Sequence, residues 1–306
     1  MSGAAQTDRA FVGSIPEIYD RWLVPLIFEP CAQDLAERAA MLLPARILET
    51  AAGTGVLTRA FAARLGSRAE ITATDLNLPM LEHAKRQMPL HPRVRWQQAD
   101  ALSLPFENSH FDLVACQFGV MFFPDRVRGF AEARRVLKQD GAFVFNVWDR
   151  ISGNDFADVV TQALGKLYPA DPPLFLARTP HGYCDPARIR SDLGAAGYGE
   201  IDIQAVDAVS RAVTPRDAAV AYCQGTPLRG EIEAGGGPGL ERATEAATEA
   251  LAARFGPGPI EGRIRALVIT ARRRGGSGSD VALRAVTREC PHGVVAPSGH
   301  FRALFE

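Results

Sequence analysis

The sequence predicts a doubly wound α/β protein built on a seven-stranded, mostly parallel sheet. Three observations carry this. From Pro44 to about Asp149, short apolar runs alternate with helix-period stretches in five successive steps. The fourth run, "FDLVACQF", is almost wholly apolar, as a strand covered on both faces must be. Two more strand-like segments, "EIDIQAV" and "IRALVITAR", follow a looser region rich in helix signals and bring the strand count to seven.

In chain order, "RILET" reads as the first strand and "VLTRAFAARLG" as its helix, with Leu57, Phe61 and Leu65 on one face and Gly66 as the stop. The second strand, "EITATD", leads through Asn77, a capping residue, and Pro79, suited to a first turn, into the helix "MLEHAKRQM". "VRWQQAD" is the third strand and "FDLVACQF" the fourth. A helix over "DRVRGFAEARRVLK" and a turn at Asp140 and Gly141 precede the fifth strand, "AFVFNVWD". Beyond Arg150, helices are expected near "NDFADVVTQALGKLY", "DPARIRSDLGAAG" and "LERATEAATEALAARF". Another begins at Thr214, where "TPRD" supplies a capping Thr, a first-turn Pro and an acid at the favourable end of the dipole.

Composition excludes several classes. The 306 residues are 47% hydrophobic and 23% charged, an ordinary globular balance. A formal net charge of −1 offers no broad basic surface, so nucleic acid is not expected as a partner. No apolar run is long enough to span a bilayer, and the start "MSGAAQTDRAFVGS" lacks a signal-peptide pattern, so a cytoplasmic protein without stable membrane insertion is expected. The five cysteines are scattered, which reads as reduced thiols, and Cys290, His292 and His300 lack a fourth ligand at metal-site spacing.

In an open parallel sheet, ligands settle at the carboxyl ends of the strands. Here those ends deliver Glu49 with "AAGTG", then Asp75, Asp100, Gln117, and finally Trp148 with Asp149. Small residues between a strand and a helix let a ligand approach backbone N–H groups. Asp75, about twenty residues beyond the last glycine, is placed to accept hydrogen bonds from ribose hydroxyls. A nucleoside-bearing cofactor is therefore expected. A dinucleotide fingerprint would carry a third glycine where Thr58 stands, and Glu49 would repel a pyrophosphate while attracting an ammonium. Asp100 adds an acceptor for an exocyclic amino group.

With these residues in order, the chain resembles the class I S-adenosylmethionine-dependent methyltransferases, in particular the small-molecule branch that includes quinone-biosynthesis C-methyltransferases. The resemblance covers roughly residues 44–150 through "ILETAAGTG", "TATDLNLPML", "QQADALSLPFENSHFDLV" and "ARRVLKQDGAFVF". It implies a Rossmann-like methyltransferase fold whose last strand pair includes an antiparallel member, and S-adenosyl-L-methionine as cofactor. It further implies that Ala51, Gly53 and Gly55 face the methionine portion, Asp75 holds the ribose, Leu76 and Met80 flank the adenine, Asp100 and Ala101 read its edge, and Gln117 lies beside the methionine end. Ala51 stands where the family most often has glycine, an exchange that negative φ would tolerate.

The same resemblance implies an N-terminal lid, residues 1–43, with Tyr19 over the cofactor; a packing helix is the alternative reading of this segment. Residues 44–150 then form the cofactor-binding core, and 151–274 complete the sheet with inserted substrate-cover helices. Residues 275–306, after a Gly/Ser linker, read as a flexible tail. Methyl transfer from a sulfonium needs alignment more than a dedicated base. Candidates to deprotonate an acceptor are Asp149, His181 and Tyr183, and "TPHGYCD" and "YCQGTPLRGEIEAGGGPG" are expected to touch the acceptor, a small organic molecule. The alternatives are a nicotinamide-dependent oxidoreductase, disfavoured by Thr58 and Glu49, and a non-catalytic S-adenosylmethionine-binding protein. An amino-group methyltransferase of nucleic acid is disfavoured because strand four ends "CQFGVMFFP".

Overall fold

The computed structural model describes residues 13–88 and 91–273. The expected tail, with Cys290, His292 and His300, lies outside the described residues. The strands are β1 (Arg46–Glu49), β2 (Glu70–Asp75), β3 (Val94–Gln98), β4 (Phe111–Gln117), β5 (Leu137–Trp148), β6 (Glu200–Ala212) and β7 (Ile260–Arg272). They form one seven-stranded sheet in the order β3-β2-β1-β4-β5-β7-β6. β1 to β5 run parallel, and β7 is antiparallel to both of its neighbours, β5 and β6. The order reverses between β1 and β4, which opens a crevice at their carboxyl ends.

Adjacent residues of the central strands enter opposite cores, as a period of two requires. Leu48, Val114 and Phe143 join one apolar cluster, while Ile47, Leu113 and Val144 join the other. Both faces of the sheet are therefore covered, which is why β4 is apolar throughout. β6 is instead an edge strand with alternating exposure, and it runs well past the expected "EIDIQAV" because β7 pairs with it residue for residue from Glu200 to Ala212. β5 likewise begins before the expected turn. Leu137 pairs with Phe111, a register shift follows, and Asp140 takes φ 64° inside the strand. The turn expected at Asp140 and Gly141 is thus absorbed as a bulge.

Helices flank the sheet at Val56–Leu65, Leu78–Gln87, Arg126–Val136, Asp155–Leu167, Pro186–Ala195, Pro215–Gln224 and Gly239–Phe255. The Thr214 start is a full capping box: its hydroxyl accepts from the Asp217 N–H, and the Asp217 carboxylate accepts from the Thr214 N–H. Two short helices, Phe175–Arg178 and Leu228–Ala234, were not expected from the sequence.

Ahead of β1 the chain is helical from Ile15 to Met41, with wide π-type turns over Tyr19–Phe28. Pro25 lies inside that stretch, where an α-helix would lose a hydrogen bond and meet the proline ring, and the wide turn relieves both. Carbonyls freed by the change of pitch are taken up from the sheet. Ser210 Oγ donates to the Leu26 carbonyl at 2.8 Å and Gln117 Nε2 to the Phe28 carbonyl at 2.9 Å. Asp20 pins the outer face of this segment to Arg59 at 3.4 Å and His83 at 3.2 Å. No helix among the described residues is long and apolar enough to cross a membrane.

Candidate active site

The loop after β1 is held by main-chain bonds to both neighbouring strands. Thr50 N–H donates to the Ala115 carbonyl and Ala52 N–H to the Thr74 carbonyl, each at 2.9 Å. The Asp75 carboxylate closes the loop, accepting from Gly53 N–H at 2.8 Å and Asn77 N–H at 2.7 Å. Oδ1 also accepts from Asn77 Nδ2 at 3.4 Å, while Oδ2 keeps a lone pair for a further donor. Burial raises the Asp75 pKa, and those N–H groups oppose the rise. Asp100, after β3, accepts from Leu102 N–H at 2.9 Å.

These strand ends enclose a cleft of about 860 Å³. Of the expected cofactor residues, Tyr19, Ala51, Gly53, Asp75, Leu76, Met80, Asp100, Ala101 and Gln117 line it. Gln117 is 8% exposed, and its Oε1 is a buried acceptor without a partner among the described residues.

Glu49 and Gly55 do not line the cleft. Glu49 is 1% exposed and its carboxyl accepts the Thr58 hydroxyl at 2.6 Å, which ties the strand to the following helix. Desolvation pushes its pKa up to about 8, only partly offset by Thr58 and Arg59, so the group is largely uncharged at neutral pH. The structure thus places the Glu49 carboxyl on Thr58, outside the lining of the cleft. Gly55 caps the helix N-terminus at φ 81°, and a β-carbon there would meet Trp96 Cη2 at 2.7 Å. Ala51 also departs from expectation: its φ is +53°, in the left-handed region that suits glycine. Its methyl fits because residue 119 is glycine, where an added β-carbon would fall 2.5 Å from the Ala51 Cβ.

Residues 47–141 match the family described as "Methyltransferase domain". Over this stretch the chain is similar to the class I S-adenosylmethionine-dependent methyltransferases. It is 28% identical over 179 residues to a ubiquinone/menaquinone biosynthesis C-methyltransferase from Idiomarina loihiensis, covering 52% of this chain and 68% of that protein. It is 40% identical over 99 residues to a demethylmenaquinone methyltransferase from Clavibacter sepedonicus, covering 32% of this chain and 39% of the other. The likeness to the second relative thus spans well under half of that protein's length. In fold, the chain is similar to the Haemonchus contortus phosphoethanolamine-type N-methyltransferase 2 solved with phosphomonomethylethanolamine and S-adenosylhomocysteine. The TM-score is 0.56 at 15% identity, over 90% of this chain and 61% of that one.

The cleft of this methyltransferase fits its cofactor. An unpartnered buried amide oxygen and two carboxylates face one crevice, which suits a ligand with ribose hydroxyls and a cationic amino-acid end. Residues that were not singled out also form the wall, chiefly Asn77, Phe118, Phe122 and Phe123. The available signal was the aromatic run directly after β4.

Phe118 is the most constrained of these methyltransferase residues. It takes φ 49°, is 5% exposed, and stacks on Trp148 at a centroid distance of 3.8 Å and 8° between planes. Asn146, fully buried, holds the bend by accepting the Phe118 N–H on its side-chain oxygen at 2.9 Å.

The expected catalytic candidates separate. Tyr183 is buried and donates its hydroxyl to Asp192 at 2.9 Å, while Arg126 lies over its ring. Burial and that carboxylate raise its pKa, and its hydroxyl is already bonded. The Asp149 carboxylate accepts from Arg150 N–H at 2.7 Å and pairs with Arg265 at 3.2 Å, away from the cleft. His181 is 7% exposed, with Nδ1 2.8 Å from the Asp149 carbonyl. It lines a second space of about 570 Å³ that shares Tyr19, Phe118 and Phe122 with the cofactor cleft.

Proposed function

We propose that the protein transfers the methyl group of S-adenosylmethionine to a small organic acceptor. When bound, the cofactor supplies a methyl group on a sulfonium already activated for in-line displacement. In this reading the Asp75 carboxylate accepts the ribose hydroxyls, Leu76 and Met80 flank the adenine, and Asp100 with Ala101 meets the adenine edge. Gln117 Oε1 accepts from the ammonium, while its amide nitrogen stays bonded to the lid at Phe28. Tyr19 and Phe118 close the cleft against water, which strengthens the polar contacts inside it.

The observation that carries the reading is the convergence of Asp75, Asp100 and the partnerless Gln117 oxygen on one cleft at the reversal of strand order. A cytoplasmic protein acting on a molecule other than nucleic acid belongs to the same reading, supported by the formal net charge of −1.

Calorimetric titration with S-adenosylhomocysteine tests it. Binding is expected in the wild type. Asp75→Asn, which keeps an oxygen for the Gly53 N–H, is expected to weaken binding by about 1–3 kcal/mol for the lost charge-assisted hydrogen bonds. A folded wild type that does not bind S-adenosylhomocysteine, but does bind a nicotinamide dinucleotide, would reverse the assignment.

A further inference from the structure

The second space carries a statement about the acceptor, and it rests on the methyltransferase reading. We infer that this chamber is the acceptor site and that it takes an uncharged, ring-sized apolar molecule bearing one hydroxyl or N–H, whose hydrogen is received by His181 Nε2.

Its position comes first. Tyr19, Phe118 and Phe122 line both the chamber and the cofactor cleft, so the two spaces adjoin at these rings.

Its chemistry comes second. The walls are aromatic and aliphatic, and among the described residues the lining holds no lysine, arginine, aspartate or glutamate. A charged acceptor would lose its hydration there with no counter-ion to replace it. Phe118 and Trp148, stacked nearly parallel, form a flat slab against which a ring can lie.

The third point is the polar inventory. Asn154 spends its amide on the carbonyls of Arg150 and Arg265 and its oxygen on the Arg265 N–H. Thr226 donates to the Tyr222 carbonyl and accepts from the Leu228 N–H. His181 differs. A carbonyl can only accept, so Nδ1 carries the proton toward Asp149, and a neutral ring then offers Nε2 as an acceptor. Burial keeps the ring neutral, pushing its pKa down to about 4. A buried acceptor in an apolar chamber discriminates strongly for a ligand that donates to it, because a ligand without a donor leaves it unpaired.

The test uses the full chain loaded with S-adenosylhomocysteine and three probes of one shape: 2-naphthol, naphthalene and 2-naphthoate, titrated at neutral pH. Each is expected to bind in the order naphthol, naphthalene, naphthoate, with naphthol ahead of naphthalene by about tenfold. In His181→Phe the naphthol preference is expected to vanish while naphthalene binding stays, which also reports that the chamber is intact. Equal binding of naphthol and naphthalene by the wild type, tighter binding of naphthoate, or a naphthol preference that survives in His181→Phe would overturn the inference. If that variant does not fold, the wild-type order alone decides. Normal binding of S-adenosylhomocysteine with none of the probes binding defeats the chamber assignment but not the cofactor reading. Failure to bind S-adenosylhomocysteine defeats both.

Discussion

The cofactor cleft and the aromatic chamber share three rings but are built in opposite ways. The cleft is made by short loops at consecutive strand ends, and its polar groups are fixed by backbone hydrogen bonds of 2.7–2.9 Å to Asp75, Asp100 and the loop after β1. The chamber is assembled by packing from Leu23, Trp148, Phe175, His181, Tyr222 and Ile264, which no single local motif brings together. Backbone geometry positions the first, and side-chain volume shapes the second.

That contrast predicts where a large truncation acts. Trp148 is 4% exposed, stacks on Phe118 and lines the chamber but not the cleft. Trp148→Ala is expected to lower stability by about 3–5 kcal/mol, read from urea or thermal unfolding. Affinity for S-adenosylhomocysteine, measured on the folded fraction, is expected to change by less than about tenfold, since Trp148 does not itself line the cleft and reaches it only through Phe118. An equal collapse of cofactor binding would mean that the two spaces form one cooperative unit through Phe118.

The same contrast explains what the sequence discloses. Four of the five β-α steps, the acid closing β2 and the Thr214 capping box are local patterns with fixed spacing, and each is present in the structure; no helix lies between β3 and β4, and Asp100 falls two residues beyond β3. The sheet with its antiparallel last pair is also present. Nine of the eleven cofactor-site residues line the cleft. Glu49 and Gly55 differ because the sequence gives their position at the loop but not what each packs against: the Glu49 carboxyl turns to Thr58, and Gly55 lies against Trp96. The wide turns over Tyr19–Phe28 are illegible for another reason. "YDRWLVPLIF" is apolar around most of its circumference, so periodicity cannot register the change of pitch. Among the catalytic candidates, residue type alone could not separate His181, facing the chamber, from Tyr183, whose hydroxyl is consumed by Asp192.

Glu49 sharpens the comparison from the cleft side, because it supports the loop without touching the ligand space. Its folded pKa, about 8, lies above the ordinary carboxyl value. The stability it contributes is therefore fully present below the unfolded pKa and is lost as pH rises through about 8. His181 has the opposite sign: its pKa is depressed to about 4, so its contribution is present above the ordinary value of 6.5 and lost as pH falls toward 4. Between pH 7 and 8 His181 is largely neutral in both states, and stability is expected to fall with rising pH by about 1 kcal/mol per unit through Glu49. Glu49→Gln is expected to flatten that part of the curve relative to the wild type. Parallel curves for the two proteins would show that Glu49 is already ionised in the fold.

The smallest expected effect tests whether the loop tolerates its missing glycine by strain or by fit. Ala51 sits at φ +53°, where a β-carbon costs about 1–2 kcal/mol. Against the relief of that strain, Ala51→Gly loses about 0.5–1 kcal/mol in unfolded-chain entropy and about 0.8 kcal/mol for the buried methyl. The terms nearly cancel, so the single variant is expected to lie within about 1 kcal/mol of the wild type in urea unfolding, and its sign is not the informative quantity. Fit is measured by coupling. A β-carbon at residue 119 would fall 2.5 Å from the Ala51 Cβ and 2.7 Å from Cys116 Sγ, so Gly119→Ala alone is expected to destabilise by about 1–3 kcal/mol. In the Ala51→Gly background the first clash is gone and the second stays, and part of the loss is expected to return. Additive losses across that double-mutant cycle would mean that the Ala51 methyl and the bare Gly119 are not a matched pair, and that the loop bears the left-handed alanine through its backbone ties to Ala115, Thr74 and Asp75 alone.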